Sequence, residues 1–414
     1  MASPTPRLKG SSLLPGHDLR QRVSDLGVRL ATSLRAVTEA IPDRPAGPQR
    51  LAKALGLDKV FASRLLKALR NREPLTVVHQ LPGPDPLRRF LVAARKSGVP
   101  SERIQPAREA VEAFEGLIRD EAGDRSALGA ILSAWLPEVR AQLELRARQT
   151  AYRAAGQILG AQADFDHSTV LLYPAGGGRL DVVWLIGVVG LQRLRPGATV
   201  KFDTQRLVPE AGKRRPTDLH GKVLNGPAVG PEAFCSGTRA TIEIQSAGES
   251  VHYLLGETGF GPRSAVDVLF CEVNRAELPA SVPADSGRRA WFAAEISAPV
   301  KRSCFDIFVH RDVYPGEDPE LLVYDRSSGG LADVNDPGRD IDRMQADQTM
   351  VPLGQGLDRT PLSELPRHPD LLGHVHACLG WNPEEFRGYR VRTDYPLHRA
   401  QVTYAFRPPQ ESAS

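Results

Sequence analysis

The sequence predicts an α+β chain, with an all-helical N-terminal module followed by a β-rich, sandwich-like C-terminal domain. Two observations carry this. Up to about Gly160, apolar residues recur at helical spacings of three and four. Beyond it, 25 of the 37 glycines fall in residues 161–414, and short β-branched and aromatic runs alternate with Gly/Pro turns. The predicted division is a disordered tail over 1–15, a helical domain over 16–160 and a β-rich domain over 161–414.

The first helix spans Asp18 to Ile41. Leu19, Val23, Leu26, Leu30, Leu34, Val37 and Ile41 line one face, and Pro42 stops it. After a Pro/Gly loop over Pro42–Pro48 come two short helices across Gln49–Leu69. Leu75–His79 reads as a strand, a candidate first strand of a wing, with Pro82, Pro84 and Pro86 interrupting any hairpin return. Gly83–Pro86 reads as a turn. Further helices are expected over Leu87–Ser97, Gln105–Asp120 and Ser126–Trp135, and a long one from Pro137 to about Gly160 with proline at its first position.

In the β-rich part, strands are expected over Ser168–Tyr173, Arg239–Gln245, Val266–Val273, Trp291–Ile296, Cys304–Val309, Leu321–Tyr324 and Gln401–Phe406. Asp370–Leu379 reads as a helix, and Ser327–Thr360 as a long irregular loop.

Bulk properties narrow the function classes. Hydrophobic residues are 41% and charged residues 25%, as in an ordinary globular protein. The longest apolar run, Val182–Leu191, is too short to span a bilayer. No apolar stretch near the N-terminus precedes a cleavage site, and Cys235, Cys271, Cys304 and Cys378 form no CxxC pair. A cytoplasmic protein with reduced thiols, and no membrane partner, is the expectation. The net charge of +4 hides an asymmetry: residues 1–100 carry 18 Lys and Arg against 7 Asp and Glu, while the rest of the chain is mildly acidic. Such a balance suits a module that faces a polyanion.

The segment Gln49–Leu69 is the most informative. Ala52 is small where two helices would touch, and Gly56 can adopt the positive φ of a tight turn. Asp58 suits the N-cap of the second helix. Leu51, Leu55, Leu57, Ala62, Leu65 and Leu66 fall on the shared core, leaving Lys59, Val60, Ser63, Arg64 and Lys67 outward. This is the pattern of a helix-turn-helix, whose second helix enters the major groove of double-stranded DNA. Arg64 suits a guanine edge, Ser63 a base or a phosphate, and Lys59, Lys67, Arg70 and Arg72 suit phosphates. The segment resembles the helix-turn-helix of bacterial transcription regulators, in particular the winged type of the IclR family, in its Leu-Ala pair before the glycine turn and its Ser-Arg-Leu-Leu run after it. The resemblance implies DNA binding as a homodimer. It covers about twenty residues and supplies no ligand site for residues 161–414.

The expected function is therefore a sequence-specific transcriptional regulator. Its β-rich domain would sense a small-molecule effector, bind a partner or drive oligomerisation. The alternatives are a self-assembling structural or interaction protein, and an enzyme with an unrecognised site. Asp18–Ile41 and Pro137–Gly160 are candidate dimer contacts, or else pack within one subunit. No cofactor, catalytic residue or metal ligand is assigned. His374-Val375-His376-Ala377-Cys378 favours a helix that puts His374 and Cys378 on one face. Asp166-His167-Ser168 holds triad residue types without a nucleophile elbow, and His310-Arg311-Asp312 lacks the other kinase motifs. Gly176–Gly178 and Gly256–Gly261 read as hairpin turns, Lys213–Arg215 with Lys222 as a solvated basic loop, and Asp333–Asp347 lacks calcium-loop spacing.

Overall fold

The computed structural model describes residues 15–411 apart from 44, 207–215, 225–231, 236–241, 248–249, 257–258, 328 and 346–347. Most of the expected tail, the Lys213–Arg215 run, Arg239–Thr241 and Glu257-Thr258 lie outside the described residues. The chain divides into two compact units, Met1–Glu144 and Leu145–Ser414.

The first unit is helical. It contains α1 (Pro15–Glu39), α2 (Pro48–Leu55), α3 (Lys59–Arg70), α4 (Pro74–Gln80), α5 (Pro84–Lys96), α6 (Ser101–Leu117) and α7 (Arg125–Ser133). A π-helical turn over Ile118–Ala122 extends α6. One core joins them: Val23, Leu26, Leu30 and Leu34 of α1 meet Leu51, Leu65, Val78, Phe90, Val111, Phe114 and Leu132. The apolar stripe of α1 is thus consumed inside its own unit, and Val23, Leu30, Leu34 and Val37 are completely covered. That face has nothing left for a dimer contact.

Two local expectations are overturned. Leu75–His79 is not a wing strand but the body of α4, which buries Leu75, Val77 and Val78. Pro74 opens this helix and the Glu73 carboxylate accepts from Thr76 N–H. These start signals outweigh the β-branched pair Val77-Val78, because a helix on a core takes its stability from the buried face. Gly83–Pro86 is likewise not a free turn, since α5 begins at Pro84. Pro84 and Pro86 both lie in the first turn, where backbone N–H groups have no intrahelical partner to lose.

Gly27 sits where α1 crosses α4. A Cβ there would come within 2.8 Å of the Pro74 carbonyl carbon and closer still to its oxygen. Alanine is favoured over glycine by roughly 1 kcal/mol in a helix interior. The clash is with backbone, however, and overpacking of this kind costs about 1–3 kcal/mol. Gly27→Ala is therefore expected to lower the urea midpoint of the first unit; a raised midpoint would show that α1 and α4 do not touch.

Helix α8 (Pro137–Leu159) leads into the β-rich unit. Its strands are β1 (Ala161–Ala175), β2 (Arg179–Arg193), β3 (Lys201–Arg206), β4 (Ile242–Ala247), β5 (Ser250–Leu255), β6 (Val266–Pro279), β7 (Ala290–Glu295), β8 (Val300–His310), β9 (Glu320–Asp325), β10 (Met350–Gln355), β11 (Phe386–Asp394) and β12 (Ala400–Phe406), with α9 (His368–Leu379) before β11. The run Val182–Leu191 is the buried middle of β2. Gly176–Gly178 turns β1 into β2, with Gly177 and Gly178 at φ of 72° and 68°.

The main sheet has the order β10-β11-β8-β1-β2-β6, and β1 and β8 run parallel while the other neighbours are antiparallel. One face carries Val170, Leu172, Phe305, Ile307, Tyr389 and Val391, which pack on Phe292, Val402, Tyr404 and Phe406 of the three-stranded sheet β7-β12-β9. Leu171, Val183, Leu185, Phe308 and Phe386 of the opposite face pack on Leu371, Leu372 and Val375 of α9. A third sheet, β3-β5-β4, shares a core with the ends of β2 and β6.

The expected irregular stretch Ser327–Thr360 contains β10 and a short 3-10 helix over Pro337–Asp342. β10 lies at the sheet edge, exposes Val351 and has a register shift between Pro352 and Gly354. An edge strand pairs through its backbone and tolerates proline at a bulge, so it needs little apolar patterning. Among the described residues, no helix is long and apolar enough to cross a membrane.

Candidate nucleic-acid interface

The cationic helix α3 is held by three local devices. Gly56 ends α2 in the left-handed region at φ 59°, and Leu57 N–H donates to Ala52 O at 2.9 Å. Asp58 caps α3, accepting from Val60 N–H at 2.8 Å and Phe61 N–H at 3.0 Å. Ala62, Leu65, Ala68 and Leu69 are buried, which fixes the rotation of the helix.

The rotation decides what is presented. At 100° per residue, Lys59, Arg70, Ser63, Lys67, Val60 and Arg64 fall on one arc about 140° wide. All six are exposed, and so is Arg72 just beyond the helix. The complementary arc holds the four buried residues with half-buried Phe61 and Leu66. Six of the seven residues expected at an interface therefore share one face of α3, and Arg72 is exposed two residues past its end. Among the described residues, Lys59, Arg64, Lys67, Arg70 and Arg72 have no ion-pair partner; the salt bridges of the first unit all lie elsewhere. At about 18 Å long, α3 is of a size a B-DNA major groove admits.

Arg125 was missed by sequence reasoning. One of its guanidinium nitrogens donates to Val78 O at 2.9 Å and His79 O at 2.6 Å, at the end of α4 where carbonyls lack intrahelical partners. Burial, and then the charge of nearby Arg64, push the Arg125 pKa below its ordinary value. Arg125 thus ties α7 to α4 and adds positive potential beside Arg64. Its only sequence signal was a position at the start of a helix, where a cation is unfavourable. Arg125→Ala is expected to cost about 2 kcal/mol, the range for hydrogen bonds made by charged groups. An unchanged denaturation midpoint would refute this role.

A cleft of about 320 Å³ flanks α3, lined by Leu57, Val60, Phe61 and Arg64 with Pro82, Pro86 and Arg89. With Asp58 also in its lining, this cleft mixes apolar, acidic and cationic groups, a feature of the surface that sequence patterning did not suggest.

In the β-rich unit, the candidate motifs separate. β1 places His167 on the α9 side of the sheet, and strand alternation sends Asp166 and Ser168 to the other side. They form no triad. On α9, His374 Nε2 lies 3.6 Å from Cys378 Sγ, whereas His376 turns inward and donates from Nδ1 to Leu372 O at 2.8 Å. His310 stacks edge-on against Tyr173 and meets Glu385 Oε2 at 3.4 Å.

A buried polar cluster does assemble. Thr169 and Asp306 are register partners, as are Asp306 and Arg390. Arg390 donates from Nε to Asp306 Oδ1 at 2.8 Å and from Nη2 to Oδ2 at 2.6 Å, and also to Thr360 O at 2.9 Å. Burial pushes both His167 and His368 below the usual histidine pKa, His167 strongly, which holds them neutral. The signal for this cluster was available: Asp306 is the lone charge inside the apolar run Cys304–Val309, and Arg390 lies between Tyr389 and Val391.

No family model matches the chain, and no curated protein does.

Proposed function

We propose that the chain is a sequence-specific DNA-binding transcriptional regulator of the cytoplasm, with α2 and α3 acting as a helix-turn-helix. The carrying observation is the exposed arc of α3, whose cations have no ion-pair partner among the described residues while its opposite arc is locked into the core. Arg64 would read a guanine edge and Ser63 a base or phosphate, with Lys59, Lys67, Arg70 and Arg72 on the backbone. Because α4 stands where a wing was expected, contact beyond α3 would come from the Arg70–Arg72 end and not from a hairpin. A homodimer would place two such helices about one DNA turn apart. With the α1 stripe buried, α8 is the remaining candidate for self-association, and it exposes Leu145 and Ile158. The β-rich unit would bias the pair of helices by binding an effector or a partner.

The test is binding of the full chain to random-sequence duplex DNA across a salt series. Three to five phosphate contacts per chain predict a slope of log affinity against log salt of about −3 to −5. A flat series would remove the reading.

A second reading rests on the cleft beside α3. Val60 is 66% exposed on the Arg64 side of the arc and adjoins Phe61, Pro82 and Pro86. Such a surface suits a protein segment, and favours an interaction protein over a regulator if DNA binding fails.

A further inference from the structure

We propose that His167, Asp306 and His368 form a closed binding site for a divalent transition-metal ion of the zinc class, structural in role. The three come from β1, β8 and the first turn of α9, and one donor atom from each lies within 4.8 Å of the other two. All three side chains are fully buried. Two buried nitrogens at the site have no hydrogen-bond partner: Nδ1 of His167 and Nε2 of His368.

His368 Nε2 stands 3.9 Å from Asp306 Oδ2, too far for a hydrogen bond. An ion bound at roughly 2.0–2.1 Å to each donor sets tetrahedral donors about 3.3 Å apart. That edge must close by about 0.6 Å, and the other donor separations, at most 4.8 Å, by no more than about 1.5 Å. The remaining polar atoms are already placed as supports. His167 Nε2 meets Thr169 Oγ1 at 2.9 Å, and His368 Nδ1 donates to Thr360 O at 3.0 Å. Arg390 grips Asp306 from outside. Metal-binding imidazoles and carboxylates are commonly oriented by such second contacts.

Cys304 Sγ donates to Asp306 Oδ1 at 3.3 Å and steadies the carboxylate from its own strand. Two imidazoles and a carboxylate, with a solvent-derived fourth ligand, select zinc-like ions over magnesium or calcium. With every donor buried, the ion enters as the unit folds.

The test uses the full chain carrying Cys378→Ser, which removes the His374–Cys378 pair as a competing surface chelate. The protein is unfolded in guanidinium with a chelator, freed of both, and refolded with Zn²⁺, with Co²⁺ or with neither. About one equivalent of metal should survive dialysis, with a higher thermal midpoint than the metal-free protein. The Co²⁺ form should show the visible absorption of a four-coordinate site, without thiolate charge transfer. His167→Gln and His368→Gln should each abolish retention. If those variants do not refold, the parent chain decides alone. Equal midpoints with and without metal, or retention undiminished in refolded variants, would overturn the site and leave a surface-bound ion only.

Discussion

Lys59→Ala combined with Lys67→Ala is expected to weaken binding to random duplex DNA about 100-fold at 0.1 M salt and to flatten the salt slope by about 2. The magnitude follows from counterion release. Each phosphate contact contributes a slope near 0.9, and at 0.1 M salt each is worth close to tenfold in affinity. Both lysines are exposed and outside any described ion pair, so their truncation removes no contact that holds α3. Circular dichroism and thermal midpoint should stay unchanged. Arg64→Ala is expected to act differently. It should cost about 1–3 kcal/mol on a selected site and relax preference at one base pair, while random DNA loses no more than one contact. The readout is fluorescence anisotropy over a salt series for the parent, the double variant and Arg64→Ala. Unchanged affinity and slope in the double variant would show that α3 is not the DNA-facing element, even if the chain binds DNA by another surface.

Asp306→Ala carries the largest expected stability loss, about 3–5 kcal/mol for the β-rich unit. The reason is the guanidinium left behind. Arg390 is 7% exposed, and its two hydrogen bonds to the carboxylate are replaced by nothing. Its bond to Thr360 O survives and limits the loss. Replacing both partners, as Asp306→Leu with Arg390→Met, should recover most of the stability, because a buried ion pair is often no better than apolar side chains of similar volume. Urea unfolding of metal-free protein, followed by tryptophan fluorescence, separates this effect from metal binding. If the double variant is no more stable than Asp306→Ala, the cost lies in shape or in hydrogen bonds of the neighbourhood and not in an orphaned charge.

The helical half was legible because helices are local objects. The stripe from Val23 to Val37, the Gly56 turn and the Asp58 cap each involve residues within a few positions of one another, so their spacing alone determined α1, α2 and α3 and the outward arc of cations. The same logic failed at Leu75–His79, where β-branched residues suggested a strand, while Pro74 and the Glu73 cap start a helix whose face is buried. In the β-rich half, strand positions were readable from alternation and turns, but partners were not. Register joins residues far apart, and nothing near Thr169 announces Asp306 or Arg390. Local patterning was enough to separate a helical from a β-rich half and to present one cationic helix. Packing across the chain settled that α4 replaces a wing, that Arg125 closes α4, and that two histidines and an aspartate converge in a buried interior, because side-chain convergence across strands depends on pairing that no short-range pattern encodes.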